Sequence, residues 1–212
     1  MNVYDWDNTI YRGDSTFHFV LYLWGHYPKT WLTLPRTLWC GLLYLLGLMK
    51  KQRFKQNLFR TFRYVKDMKR ATAQFARTHL DGVQRWYVEQ RAEDDIIISA
   101  SPEFLVQEFV VFMRSLRMAD ESTTVIGSPV EMATGKYYGV NCYGEEKVRQ
   151  FKALVRARAE QKGDLSFKWP MIEEFYSDSL SDAPLARLAR NAYLVKKGKL
   201  QPWPKDSTKK GA

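Results

Sequence analysis

Short apolar runs and amphipathic helical stretches alternate from residue 96 to residue 195, and this alternation restricts the fold more than any other feature of the chain. Ile96-Ile97-Ile98 follows the polar turn Glu93-Asp94-Asp95 and leads into Ser99, the pattern of a buried strand. Ser101 then reads as a helix N-cap, with Pro102 at the first helical position and Glu103 in the first turn. Leu105, Phe109, Phe112 and Leu116 keep helical spacing behind it. Residues 123–126 form the next strand, and Thr134-Gly135-Lys136 centres an expected hairpin over 130–142. A basic amphipathic helix follows from 144 to about 161, with Val148, Phe151 and Val155 on one face. A strand over 172–177, a helix from 184 to about 190 and a strand over 192–195 complete the series, and one further strand opens the chain at 2–5. The expectation is an α/β fold with a doubly wound, mostly parallel, Rossmann-like sheet.

Residues 14–90 do not fit this pattern. They read as helical throughout, aromatic and basic, between the first strand and the second. They are taken as a helical cap inserted over the end of the sheet. That leaves 1–13 and 91–200 as the Rossmann-like core and 201–212 as a disordered tail. The chain's 212 residues suit one such domain carrying an insertion, and 45% apolar with 26% charged residues excludes disordered and fibrous classes. Between His18 and Leu80 lie twelve of the 33 basic residues and one of the 23 acidic ones, Asp67, so this segment carries +11 and the rest is net −1. The segment therefore reads as a separate unit that meets something anionic. Cys40 and Cys142 cannot build a disulfide framework, and His18, His26 and His79 lack metal-ligand spacing, which argues against a zinc enzyme. The opening Met-Asn-Val-Tyr-Asp-Trp-Asp has acids where a leader would be basic and then apolar, so the expected location is cytoplasmic.

Asp5-Trp6-Asp7-Asn8-Thr9 follows the first strand. Two carboxylates at i and i+2 just past a strand share one cleft when the chain turns off the sheet, at the edge where parallel sheets bind ligands. Ser99 ends the second strand, Lys147 lies in the first turn of a helix, and Asp178 and Asp182 follow the strand ending near Ser177. Phosphoryl transfer needs this inventory: a nucleophile, carboxylates for a metal, cationic and hydroxyl donors to phosphate oxygens, and a general acid.

On these residues the chain resembles the haloacid dehalogenase superfamily of phosphatases. Asp5-Trp6-Asp7-Asn8-Thr9 is similar to its first motif, Ser99 to its second, Lys147 to its third, and Asp178 with Asp182 to its fourth. The helical insertion resembles the cap of the phosphoserine phosphatase subfamily. Gly144-Glu145-Glu146-Lys147-Val148 and Tyr176-Ser177-Asp178-Ser179 look most like bacterial members of the phosphatidylglycerophosphatase C type. Three positions depart from the pattern: Asn8 stands where glycine is usual, Ser177 where the fourth motif commonly has glycine, and Ser181 where asparagine can precede its last aspartate. None removes a carboxylate. The resemblance implies that Asp5 attacks phosphorus and forms an aspartyl-phosphate, and that Asp7 is general acid and then base. It implies that Asp5, Asp178 and the Asp7 backbone carbonyl hold Mg²⁺, with Asp182 a second-sphere partner or orienting Lys147. Ser99, Lys147 and Thr9 are the implied phosphate ligands. An acid two residues after the nucleophile sets the chain apart from the dehalogenases and the P-type pumps. The implied activity is a phosphomonoesterase acting on a small metabolite or a lipid headgroup phosphate. A phosphotransferase with the same intermediate, or a binding module with an incidental site, are the alternatives.

Thr37-Leu38-Trp39-Cys40-Gly41-Leu42-Leu43-Tyr44-Leu45-Leu46-Gly47-Leu48-Met49 is uncharged, but Pro35-Arg36 leaves it short of the ~20 residues a membrane span needs. It reads as a cap-core helix or as an interfacial segment, with Trp24, Tyr27, Trp31 and Trp39 near basic residues. Residues 50–70 interleave Lys and Arg with Phe54, Leu58, Phe59, Phe62 and Val65 and read as one basic amphipathic helix. It is an ordinary cap helix, or its anionic partner is a membrane surface on the cytoplasmic side or, as a third option, nucleic acid. No nucleic-acid motif accompanies the basic and aromatic composition.

Overall fold

The computed structural model describes residues 1–161, 163, 169 and 171–204. Six strands form one sheet: β1 (Asn2–Tyr4), β2 (Ile96–Pro102), β3 (Thr124–Ser128), β4 (Ile172–Ser177), β5 (Ala189–Lys196) and β6 (Lys199–Pro202). Their order is β3-β2-β1-β4-β5-β6, and every pairing is parallel except the β5–β6 hairpin. The α/β, mostly parallel sheet expected from the alternation is thus present. β1 lies between β2 and β4, so the chain leaving β1 emerges in the middle of the sheet's C-terminal edge, beside the ends of both neighbours.

Pleating sends neighbouring residues to opposite faces. Val3, Ile96, Ile98 and Phe175 bury against Phe151 and Val155 of α7 (Glu145–Gln161). Tyr4, Ile97 and Tyr176 face the other side, where Tyr4 and Tyr176 stack at 4.9 Å between centroids. That second face is covered by α5 (Arg85–Gln90) and α6 (Glu103–Ser115) and by the segment between β1 and β2. This segment holds α1 (Ser15–His26), α2 (Leu34–Leu45), α3 (Lys51–Phe59), α4 (Met68–Thr78) and α5, joined by 3₁₀ turns. Its aromatic residues share one buried cluster with the sheet's helices: Phe75 meets Phe109 edge-on at 5.7 Å and Phe62 meets Phe104 at 5.9 Å.

Several local expectations change in three dimensions. Ser101 is not an N-cap. β2 continues to Pro102, α6 starts at Glu103 without a side-chain cap, and the Ser101 hydroxyl is engaged with Asp7 and Thr16. The 130–142 hairpin reduces to a turn around Gly135, whose φ is +67°, closed by a single Val130–Tyr137 bridge. Its return limb is drawn away because Asn141 and the Cys142 N–H bond Ser128. The expected helix over 50–70 is broken. α3 stops at Phe59, a 3₁₀ turn spans Arg60–Tyr64, and Asp67 caps a new helix by accepting from the Arg70 N–H at 2.9 Å. The helix from 184 contracts to α8 (Ala183–Ala186), and β5 starts earlier than expected. The tail does not begin at Gln201, because Gln201 and Pro202 pair with β5 in β6; residues 205–212 lie outside the described chain.

The uncharged run at 37–49 does not form a core. Pro35 sits in the first turn of α2, where a missing N–H is harmless, so it starts the helix instead of breaking it. Only Thr37 and Cys40 of α2 are buried, while Leu38, Trp39, Leu42 and Leu45 are exposed, with Leu46 and Leu48 exposed just beyond. Among the described residues, no helix is long and apolar enough to cross a membrane.

Asp95, just before β2, is fully buried. Its Oδ2 accepts from the Ala92 N–H at 2.9 Å, and its Oδ1 has no partner among the described residues. Burial pushes its carboxyl from 3.8 up to about 7. A carboxyl raised in the folded state favours folding in its protonated form. Stability is therefore full below about pH 4 and declines as pH rises toward 7. Asp95→Asn should stabilise the protein by about 1–3 kcal/mol at pH 8 and by little at pH 4, measured by urea unfolding at both values. An equal effect at the two pH values would contradict the assignment.

Candidate active site

Asp5 is the first residue past β1, still held to the sheet by its N–H to the Tyr176 carbonyl at 2.8 Å. The chain then turns sharply. Asn8 has φ +56°, a left-handed conformation that suits glycine and that asparagine tolerates better than most residues. The departure from glycine at this position therefore keeps the turn. Trp6 is fully buried and ties the turn to α1 through its indole N–H on Ser15 Oγ at 3.1 Å.

The turn and the loops after β2 and β4 surround a cavity of about 120 Å³ lined by Asp5, Asp7, Ser99, Lys147, Asp178 and Asp182, among others. The sequence had singled out all six. Lys147, buried at 2% exposure, holds the cluster together. Its Nζ donates to Asp5 Oδ1 at 2.8 Å and to Asp182 Oδ2 at 2.7 Å. Burial acts to lower its pKa, but Asp5 and Asp182 outweigh that and hold it above the ordinary lysine value. Burial raises the Asp5 carboxyl to about 7, opposed by Lys147 and reinforced by Asp182. Asp178 is also raised, by burial and then by the nearby Asp182 carboxylate. These acids crowd one another beyond what a single ammonium neutralises.

Asp7 is fixed by contacts that the sequence did not reveal. The Ser15 N–H donates to its Oδ1 at 2.7 Å, and the Ser101 hydroxyl donates to its Oδ2. Burial raises its pKa first and Asp14 adds to the rise, while Lys55, Ser101 and Ser15 oppose it. A carboxyl held in place and biased toward its protonated form is equipped to give a proton.

Ser99 is buried where the β2–β3 register shifts between Ile98 and Pro102, and its Oγ accepts from the Ser101 N–H at 3.0 Å. Thr9 is placed differently from expectation. It is fully buried outside the cavity lining, and its Oγ1 accepts from the Asp178 N–H at 2.9 Å, so it braces the loop after β4. Ser177, a second departure from the motif, has a defined task. Its Oγ donates to Asp182 Oδ2 at 2.7 Å and accepts from the Ser179 N–H at 3.1 Å. Asp182 Oδ2 thus accepts from both Lys147 Nζ and the Ser177 hydroxyl.

Buried Asp5 and half-buried Asp178 line the same polar cavity, and both carboxyls are shifted toward protonation. Among the described residues, no three carboxylate, thiolate or imidazole groups are arranged to hold a metal by themselves. A Mg²⁺ site does not require that, since this ion takes one or two carboxylates and completes its shell with water and phosphate oxygens.

No curated protein is matched by the chain. Among solved structures, it is similar to a crystal structure of a protein of unknown function from Bordetella pertussis Tohama I. The TM-score is 0.63 at 16% identity, over 91% of this chain and 87% of that one, a likeness of fold. A family model described as haloacid dehalogenase-like hydrolase matches residues 3–187, a stretch running from β1 to just past α8 and containing every residue that lines the cavity. By that match the chain belongs to the haloacid dehalogenase-like hydrolase family.

Proposed function

We propose that the protein is a Mg²⁺-dependent phosphomonoesterase working through an aspartyl-phosphate on Asp5. The observation that carries this reading is Lys147, buried between Asp5 and Asp182 with two of its three N–H donors used. The third is free for a phosphoryl oxygen. Asp5 Oδ1 is committed to Lys147, which leaves Oδ2 to attack phosphorus. As the Asp5–phosphorus bond forms, the phosphorus–ester oxygen bond breaks, and Asp7 gives its proton to the departing alkoxide. The Asp7 carboxylate then takes a proton from water, whose oxygen attacks phosphorus and returns Asp5 with release of phosphate. The Ser15 N–H and the Ser101 hydroxyl hold Asp7 in one position through both steps. Ser99 offers a hydroxyl to the same phosphoryl group.

Asp5, Asp178 and the backbone carbonyl of Asp7 would hold the Mg²⁺, whose charge screens the repulsion between a carboxylate nucleophile and an anionic phosphate. The segment between β1 and β2 acts as a cap in this reading, since Asp14 and Lys55 reach the cavity wall from it. The exposed apolar face of α2, next to the exposed Lys29, Arg36, Lys50 and Arg53, supports an anionic lipid surface as a partner of that cap.

The test is inorganic phosphate release from a panel of phosphomonoesters with no added acceptor. Turnover should vanish in chelator and return with Mg²⁺, and Asp178→Ala should raise the Mg²⁺ requirement by about tenfold or more. Turnover that persists in chelator would refute the metal assignment. Absence of release from every ester in the presence of Mg²⁺ would refute the hydrolase reading.

A further inference from the structure

A second cavity, of about 200 Å³, adjoins the catalytic one, and the two share Asp14 and Lys55 in their walls. Its remaining lining is mainly carbon, from Phe17 of α1, Tyr44 of α2, and Phe54 and Leu58 of α3. Tyr44 and Phe54 stack nearly parallel, 5.2 Å between centroids and 5° between planes, so one wall is already formed. The catalytic cavity is smaller, about 120 Å³, and polar groups surround it. It suits a phosphoryl group with its cation. The rest of an ester must extend elsewhere.

The shared residues indicate the direction. Asp7 lines the catalytic cavity together with Asp14 and Lys55, the two residues that this cavity shares with the second one. An ester whose leaving oxygen meets Asp7 can therefore extend past Asp14 and Lys55 into the second cavity. Lys55 is buried at 8% exposure, and among the described residues no carboxylate lies within ion-pairing distance of its ammonium. With the acids of the cavity wall beyond direct pairing distance, its ammonium keeps its donors open to an anionic ligand. Its charged end can meet a phosphoryl oxygen while its methylene stem continues the apolar wall.

We propose that Phe17, Tyr44, Phe54 and Leu58 form a leaving-group subsite for the alkyl or aryl part of a phosphomonoester, with Lys55 at its mouth on the phosphoryl oxygens. This rests on the phosphomonoesterase reading and narrows its substrate class to esters of apolar alcohols. Sugar and amino-acid phosphates lack the carbon surface to fill the subsite. Tyr44 belongs to the helix whose outer face is exposed and apolar, so a long chain lying in the subsite continues toward that face.

Binding of ethyl-, butyl-, hexyl- and octylphosphonate, measured by calorimetry with Mg²⁺ present, tests the subsite without requiring turnover. Affinity should rise about two- to fourfold per added methylene until the cavity is filled. Phe17→Ser with Tyr44→Ser, both at exposed helix positions, should flatten that slope, with circular dichroism confirming the fold. Affinity independent of chain length, or a slope unchanged in the double variant, would overturn the subsite. Chain-dependent binding without phosphate release from the matching alkyl phosphates would leave the subsite standing and refute the hydrolase. A last comparison separates two sources of the same chemistry. Dodecyl phosphate is supplied either as monomers or embedded in vesicles, and faster turnover of the monomer identifies a soluble ester. Faster turnover of the embedded form identifies a membrane lipid.

Discussion

Asp5→Asn should leave the fold intact and reduce phosphate release on the order of 10⁴-fold or more, because an amide is not a usable nucleophile toward phosphorus. The substitution keeps the shape of the side chain and an oxygen able to accept from Lys147, whose Nζ lies 2.8 Å from Asp5 Oδ1. Folding stability should therefore change much less than activity. Asp7→Asn should cost on the order of 10² to 10⁴, the usual contribution of a positioned acid or base. It should leave Mg²⁺ binding nearly unchanged, since in the proposed site Asp7 would offer that ion only its backbone oxygen. Single-turnover measurements separate the two variants. Asp7→Asn should still accumulate phosphorylated enzyme from an ester with a good leaving group, such as an aryl phosphate, and Asp5→Asn should form none. Wild-type turnover in Asp5→Asn would show that the chemistry proceeds without this carboxylate.

Lys147→Met should destabilise the protein by about 3–5 kcal/mol at neutral pH in addition to removing activity. Breaking a buried ion pair strands its partners. Lys147 is 2% exposed and Asp182 1%, so bulk solvent does not screen the carboxylate left behind. Asp182 Oδ1 already has no hydrogen-bond partner among the described residues, and its Oδ2 would keep only the Ser177 hydroxyl. Asp5, whose carboxyl burial raises to about 7, can escape by taking up a proton, so the loss should shrink as pH falls below about 7. Adding Asp182→Asn to Lys147→Met should recover part of the stability at neutral pH without restoring turnover. Urea unfolding of the single and double variants measures this. A loss below about 1 kcal/mol for Lys147→Met would mean that the lysine does not neutralise the cluster.

The carboxylates could be found in the sequence because the signal is local. A short apolar strand ending at Tyr4 and followed at once by two acids leaves Asp5 and Asp7 little freedom but to emerge at the strand's end. Lys147 and Asp178 could be found because each lies at the boundary of an element whose type was clear from periodicity, Asp182 because it follows Asp178 by four residues, and Ser99 because the apolar run Ile96–Ile98 ends before it, although β2 runs on to Pro102. Ser101 shows how a strong local signal misleads. Ser-Pro-Glu is a good helix start, but the hydroxyl has a better acceptor in Asp7, far away in sequence. Thr9 shows the reverse: being close to the nucleophile in sequence did not put its hydroxyl in the cavity. α2 shows a third limit. A helix apolar on most of its surface does not reveal which side a neighbour covers, and only the docking of α3 left Leu38, Trp39 and Leu42 outside. Lys55 was one of twelve basic residues in its segment, and nothing local set it apart from those in solvent.

The sequence by itself determined the parallel sheet and the edge at which the chemistry collects. Strands separated by helices must run in the same direction, and parallel strands end on one side. Tertiary structure decided which groups touch. Lys147 meets Asp5 across 142 residues and Ser101 meets Asp7 across 94, and both pairs depend on strand order, sheet twist and the seating of helices. It also decided that Asp14 and Lys55 stand between a polar cavity and an apolar one. The physical reason is range. Backbone propensity and hydrophobic period act over a few residues, whereas a buried charge is satisfied by whatever group packing brings within about 3 Å of it.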